Sequence, residues 1–121
     1  MIKLTDEQVE FFKNTFIYYQ KKFQLEDYKM FFEIVEDKDF YAKITVDHSG
    51  ALFMLTLNRE YLPLGITGSI EEQLKSVAKH EAIHLLIGRM NACAISRFVT
   101  SDEINHFNET LVRKLEWLIL D

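Results

Sequence analysis

Two histidines four residues apart, with a glutamate directly after the first, stand in the stretch SVAKHEAIHLLIGR at 76–89 as His80, Glu81 and His84. On a helix the two imidazoles lie about one turn apart, roughly 6 Å along the axis, and can converge on one metal ion from the same face. Imidazole nitrogens at that spacing suit zinc. The glutamate between them is placed to act as a general base. At about 100° per residue, the apolar stripe of Ile70, Leu74, Val77, Ala78 and Leu85 has Glu81 near its centre, His84 beside it and His80 on its flank. An ionised carboxylate on a buried line is costly unless a charge or a strong hydrogen bond compensates it. A water held at a metal would do so. From Ile83 to Ile87 the helix is apolar almost all round, so its C-terminal half should be buried. The competing account is a core helix with hydrogen-bonded histidines and a salt-bridged glutamate, and the central position of Glu81 argues against it.

A catalytic zinc takes three protein ligands and leaves one position open. Cys93 is the single cysteine, and only His48 and His106 add to the motif histidines. The third ligand is therefore sought among Asp102, Glu103, His106 and Glu109 near the C-terminus. Relative to the stripe of Phe107, Leu111 and Leu118, His106 and Glu109 project to the opposite side, whereas Glu103 borders the apolar face. Glu103 is the expected ligand. The same residue completes a capping box with Thr100, a purely structural role, so His106 and Glu109 stay open as alternatives. An oxyanion stabiliser is also needed, and Tyr61, Arg97 and His106 are its candidates. His48 falls in the turn Asp47 to Gly50 and reads as a solvated turn residue, and Cys93 as a buried small hydrophobe.

The elements that must position these residues follow from periodicity. Thr5 with Gln8 is a capping-box pattern opening a helix to about Lys22, and Val9, Phe12, Phe16, Ile17, Tyr19 and Phe23 form its core stripe. Leu25 to Tyr28 connect it to a strand at Lys29 to Val35. A charged turn at Asp37 to Asp39 leads to a second strand, Phe40 to Val46, which pairs as a hairpin with a third, Ala51 to Leu57. Asn58 to Gly68 reads as irregular because Pro63, Gly65 and Gly68 interrupt it. Ser69 with Glu72 caps the motif helix, Ile70 to about Met90, and Thr100 with Glu103 opens a final helix reaching Leu120.

Composition bounds the function classes. The chain has 121 residues, 48% of them hydrophobic and 27% charged, and reads as one soluble domain over 1–121. A net charge of -5 without a basic stripe argues against a nucleic-acid partner. No apolar run approaches the roughly 20 residues that cross a bilayer, and the N-terminal stretch lacks a secretory pattern. One cysteine fits a reducing compartment, so the expected location is the cytoplasm. A structural zinc site is disfavoured, because such sites are usually closed by four cysteine or histidine ligands.

The eighteen residues between His84 and Glu103 make the pattern similar to that of gluzincin metallopeptidases, in which H-E-x-x-H is followed at that distance by a glutamate. Those families often place an aspartate four residues further on, where this chain has Phe107. Across nearly its full length the chain resembles small zinc metallopeptidases encoded by phages and prophages, distant relatives of minimal zincins and SprT-like proteins. The residues that carry this are Leu25-Glu26-Asp27-Tyr28, the short sheet, HEAIHLL at 80–86 and ETLVRKLE at 109–116. The resemblance implies an α+β, minimal zincin-like domain: an N-terminal helix, a three-stranded mixed sheet, the H-E-x-x-H helix and a C-terminal helix, with metal between sheet and final helix.

It further implies zinc-dependent peptide-bond hydrolysis in the host cytoplasm, with Zn²⁺ on His80, His84 and Glu103 and Glu81 as base toward the zinc-held water. The partner is then a peptide or protein substrate, held by a sheet-edge strand, for which Ala51 to Leu57 is the expected edge. The alternative is a phage accessory protein that binds a host protein without turnover, its surplus aromatics Tyr18, Tyr19 and Tyr61 serving an interface.

Overall fold

The first helix begins where its capping chemistry places it. In the computed structural model, the Thr5 hydroxyl accepts from the Gln8 amide at 3.2 Å while Gln8 Oε1 accepts from the Thr5 amide at 3.0 Å. The structure describes residues 2–36, 38–61 and 68–92, together with Asp102, Asn105, Glu109, Val112, Arg113, Leu115 and Glu116. The elements are β1 (Ile2–Lys3), α1 (Asp6–Lys22), β2 (Lys29–Val35), β3 (Ala42–Asp47), β4 (Leu52–Asn58), β5 (Glu60–Tyr61) and α2 (Ile70–Ala92). The seven described positions beyond residue 101 are all helical. The architecture is α+β, as the alternation of periodicities implies.

β2, β4 and β3 form one sheet in that order, β2 running parallel and β3 antiparallel to β4. The β3–β4 hairpin closes through Asp47, whose carboxylate accepts from the Ser49 hydroxyl at 2.7 Å and the Gly50 amide at 3.1 Å. Tyr19, Phe12 and Phe16 of α1 interlock with Phe53, Leu55 and Leu57 of β4 and with Leu74, Ala78, Ala82 and Leu85 of α2. Both helices thus cover one face of the sheet, and burying each large side chain contributes about 1.5–3 kcal/mol. Gln20, itself buried, donates to the Leu25 and Tyr28 carbonyls at 3.0 Å each and fixes the turn into β2.

Four expectations need correction. β4 is the central strand rather than the edge, because β2 and β3 both pair with it. Its run of buried residues from Leu55 to Asn58 suits a strand enclosed on both sides. Residues 58–68 are not wholly irregular, since Glu60–Tyr61 pairs antiparallel with Ile2–Lys3. Tyr19 is fully buried and cannot serve an interface, while Tyr18 beside it is half exposed. The second strand also starts at Ala42, two residues late, because Asn58 Nδ2 donates to the carbonyls of Lys38 and Phe40 and holds that approach as a bend. Cys93, Arg97, the Thr100–Glu103 capping box and the end of the final helix lie outside the described residues.

Candidate metal centre

α2 is capped by Ser69, whose hydroxyl accepts from the Glu72 amide at 3.1 Å, and delivers His80 and His84 one turn apart. Their ring centroids are 4.7 Å apart in an edge-to-face arrangement, and their Nε2 atoms face each other at 3.1 Å. Glu109 comes to the same point, with one carboxylate oxygen 3.7 Å from His80 Nε2 and the other 3.3 Å from His84 Nε2. Zinc–donor distances of about 2.0–2.1 Å at tetrahedral angles place ligand atoms roughly 3.3–3.4 Å from one another. The observed edges bracket that value. Among the described residues this is the one group of three or more His, Cys, Asp or Glu able to hold a metal ion.

What brings Glu109 here is apolar docking. Val112 is completely buried and joins Ile83 and Ile87 of α2 in a small second core, with Phe23 and Leu115 packed beside it. Residues 109, 112 and 116 recur at three and four, so one helical face presents Glu109 and Glu116 on either side of Val112. Glu116 accepts the hydrogen bond of His80 Nδ1. That bond leaves Nε2 as the lone-pair nitrogen facing His84 and Glu109, the arrangement by which a carboxylate orients a metal-binding imidazole. Glu116→Gln should weaken zinc binding about tenfold to a hundredfold with little change in metal-free stability, as read by competition with a zinc chelator. An unchanged zinc affinity would deny Glu116 that positioning role.

Glu81 lies at the bottom of the centre, 7% exposed. Burial pushes its carboxyl up to about 8, and the neighbouring carboxylates of Glu109 and Glu116 push in the same direction. Burial, and then His80, holds the His84 imidazole below its usual range, against an opposite pull from Glu109 and Glu116. Three carboxyls and two imidazoles thus converge in a half-closed space, where burial first and then the neighbouring carboxylates disfavour the ionised form of Glu81. A divalent cation offsets that cost, and two imidazoles with a carboxylate are a zinc donor set.

Two cavities meet at Glu81. One, of about 330 Å³, is lined by Phe40, Tyr41, Val77, His80, Glu81 and Glu116. The other, of about 440 Å³, runs past Ile44, Glu81, His84, Gly88 and His48. Ala42 borders both. Together they make a cleft between α2 and β3, whose outer edge pairs with no other strand among the described residues.

The structure therefore brings His80, Glu81 and His84 together as the motif implies. Glu103 and His106 lie outside the described residues, as does Arg97, and the side chain of Tyr61 is not described. Glu109, the alternative ligand, fills the third corner. Sequence reasoning passed over Glu116, though its seven-residue spacing from Glu109 places both on one helix face. It also misjudged His48, which is half-buried rather than solvated, with Nδ1 2.8 Å from the Tyr28 hydroxyl. No family model matches the chain, and no curated protein or solved structure does either.

Proposed function

We propose that this chain is a zinc-dependent peptidase with His80, His84 and Glu109 as ligands and Glu81 as general base. The observation that carries it is the His80–His84–Glu109 triangle with the buried carboxyl of Glu81 beside it. Zinc bound there would lower the pKa of water toward about 7 and polarise a carbonyl. Glu81, raised toward neutrality by its surroundings, suits the exchange of a proton at working pH. Its carboxylate takes the proton of the attacking water and, as the carboxylic acid, returns it to the departing amine. Glu116 keeps His80 in the required tautomer through Nδ1. The open edge of β3 offers main-chain donors and acceptors to an extended peptide lying in the cleft. The zincin-like resemblance of the H-E-x-x-H helix and the mixed sheet supports the same reading. No described helix is long and apolar enough to cross a membrane, and with one cysteine the chain suits a reducing cytoplasm.

A second reading, a protein-binding accessory factor on the same scaffold, is favoured by the outer sheet face. There Phe31, Leu52 and Met54 are 43%, 37% and 37% exposed, and Phe31 pairs directly with Met54 across the strands. Metal content measured by mass spectrometry tests the leading reading. About one zinc per chain is expected, lost in His80→Ala and in His84→Ala and much weakened in Glu109→Ala. A chain that stays zinc-free when zinc is supplied would leave only the binding role.

A further inference from the structure

β2 lies at one edge of its sheet, and its outer side pairs with no strand among the described residues. Two bonds fix the backbone polarity of that side. The Lys29 amide donates to the Ala51 carbonyl at 2.9 Å, and the Val35 carbonyl accepts from the Arg59 amide at 2.8 Å. In a parallel ladder, residues that bond to the neighbouring strand alternate with residues whose N–H and C=O point away from it. Lys29, Phe31, Glu33 and Val35 therefore address β4, while Met30, Phe32 and Ile34 turn their main-chain groups outward. The strand is seven residues long and free of proline, and such an edge is a template for another strand.

The side chains of β2 say which strand. Met30 and Phe32 pack against the helix-covered core, so the alternate residues Lys29, Phe31 and Glu33 share the uncovered face, and all three are exposed. Phe31 is 43% exposed, with the Lys29 ammonium 5.2 Å from its ring centre. Lys29 and Glu33 flank it symmetrically, one on each side along the strand. When a second β2 lies antiparallel with its Phe31 opposite this one, each Lys29 falls opposite the other chain's Glu33, and the two rings meet between these charge pairs. Met30 of each chain then stands opposite Phe32 of the other, and the pair exchanges N–H and C=O bonds across the twofold axis. Outward main-chain groups and charges thus select one register. Centring the axis on Phe32 would instead set Glu33 against Phe31 and Lys29 against Val35. The ladder also has a natural end. Beyond Phe32, Ile34 comes opposite Tyr28, whose amide donates to the Leu25 carbonyl at 3.1 Å and whose carbonyl accepts from Gln20 at 3.0 Å.

We propose that β2 is a self-association edge, at which two copies of this chain pair antiparallel about Phe31 and join their sheets into one. The opposite edge suits a second copy less well. β3 exposes Lys43, Thr45 and Asp47; the Asp47 carboxylate is engaged in its own turn, and the Lys43 ammonium lies 5.3 Å over the Phe40 ring. Pairing through β2 leaves both clefts open at the far edges of the joined sheet, so it is independent of the zinc site. A single strand edge covers less than the roughly 1,200 Å² of a standard interface, and the dimer dissociates on dilution through the micromolar range.

Sedimentation velocity from low micromolar to millimolar concentration reads this equilibrium. Lys29→Glu and Glu33→Lys each set like charges opposite one another at both pairs and should weaken the dimer about tenfold. Lys29→Glu combined with Glu33→Lys restores both pairs with their signs exchanged and should recover the original dissociation constant. Matching melting temperatures of the dilute variants check that each folds. Amide exchange followed by NMR reports on the backbone: Met30 and Phe32 should gain protection on association, whereas Lys29 and Phe31, already facing β4, should not. A chain that stays monomeric at millimolar concentration overturns the proposal, and so does a dimer whose affinity ignores the charge exchange. A dimer lost in Leu52→Ser with Met54→Ser, with Met30 and Phe32 amides exchanging freely in the parent, docks by the sheet face and overturns the edge pairing. Protection of those amides that appears only when an extended peptide is added to a monomeric chain assigns the edge to a peptide and overturns the second copy as its occupant.

Discussion

Metal-free protein should lose up to about 4 kcal/mol of stability through Glu81 between pH 5 and pH 8 in urea unfolding, and Glu81→Gln should remove most of that loss. The sign follows from which state holds the proton. In the folded chain the Glu81 carboxyl stays protonated to about pH 8, against an ordinary value of 4.5. Below pH 4.5 both states are protonated and the fold bears no cost. Between 4.5 and 8 the unfolded chain releases a proton that the folded chain keeps, so each pH unit costs about 1.4 kcal/mol. Above 8 both are ionised and the slope ends. The groups facing Glu81 across the centre, Glu109 and Glu116, act in the same direction, and replacing Glu81 removes that repulsion as well. On the acid side the order reverses for His84, held below its usual range: the unfolded imidazole gains its proton first, and stability falls as the pH drops through about 6.5. An alkaline slope of the same size in Glu81→Gln would mean that another group causes it.

Zinc should flatten this profile, because a dication beside Glu81 favours its ionised form. Saturation at about a thousand times the dissociation constant adds roughly 4 kcal/mol, and more of it should appear at pH 8 than at pH 6. Relief of the cost of ionising Glu81 would then contribute to metal affinity. That is the common relation between a functional site and the stability of the scaffold around it.

The parts of the chain legible in its sequence are those decided within a few residues. Capping pairs such as Thr5 with Gln8 involve neighbouring side chains and amides, and the strand at Lys29–Val35 is bounded by its own alternation. His80, Glu81 and His84 belong with these, since one helical turn sets their geometry. Strand order is different, because periodicity says which face of a strand is buried and not which strand lies between two others. Even so, LFMLTL carries a hint: Leu55, Thr56 and Leu57 are buried in succession, the pattern of a strand enclosed on both sides. The place of Glu109 was less legible for a related reason. A stripe of apolar residues suggested which side of the last helix faces the core, whereas contact with α2 is made through Val112, between two carboxylates. His48 depends on Tyr28, twenty residues away, and on the room left by Gly88, forty residues on, and no local pattern reports such a meeting.

Replacing Glu81 by Gln should lower peptide hydrolysis about a hundredfold to ten-thousandfold while zinc remains at its wild-type stoichiometry. Glutamine keeps the size of the side chain and its place in the helix but cannot take up a proton. The loss should therefore fall on kcat more than on KM, since in the proposed peptidase β3 and the cleft, rather than Glu81, would hold the peptide. Glu109→Ala should behave in the opposite way, losing zinc first and recovering part of its rate when zinc is raised, because two imidazoles remain. Glu103→Ala run beside it separates the two carboxylates: the one whose loss shifts zinc affinity is the ligand, and the geometry favours Glu109. If Glu81→Gln kept full activity, the hydrolysis would not be proceeding through this base, and the buried carboxyl would have to be understood as a structural group held neutral by its surroundings.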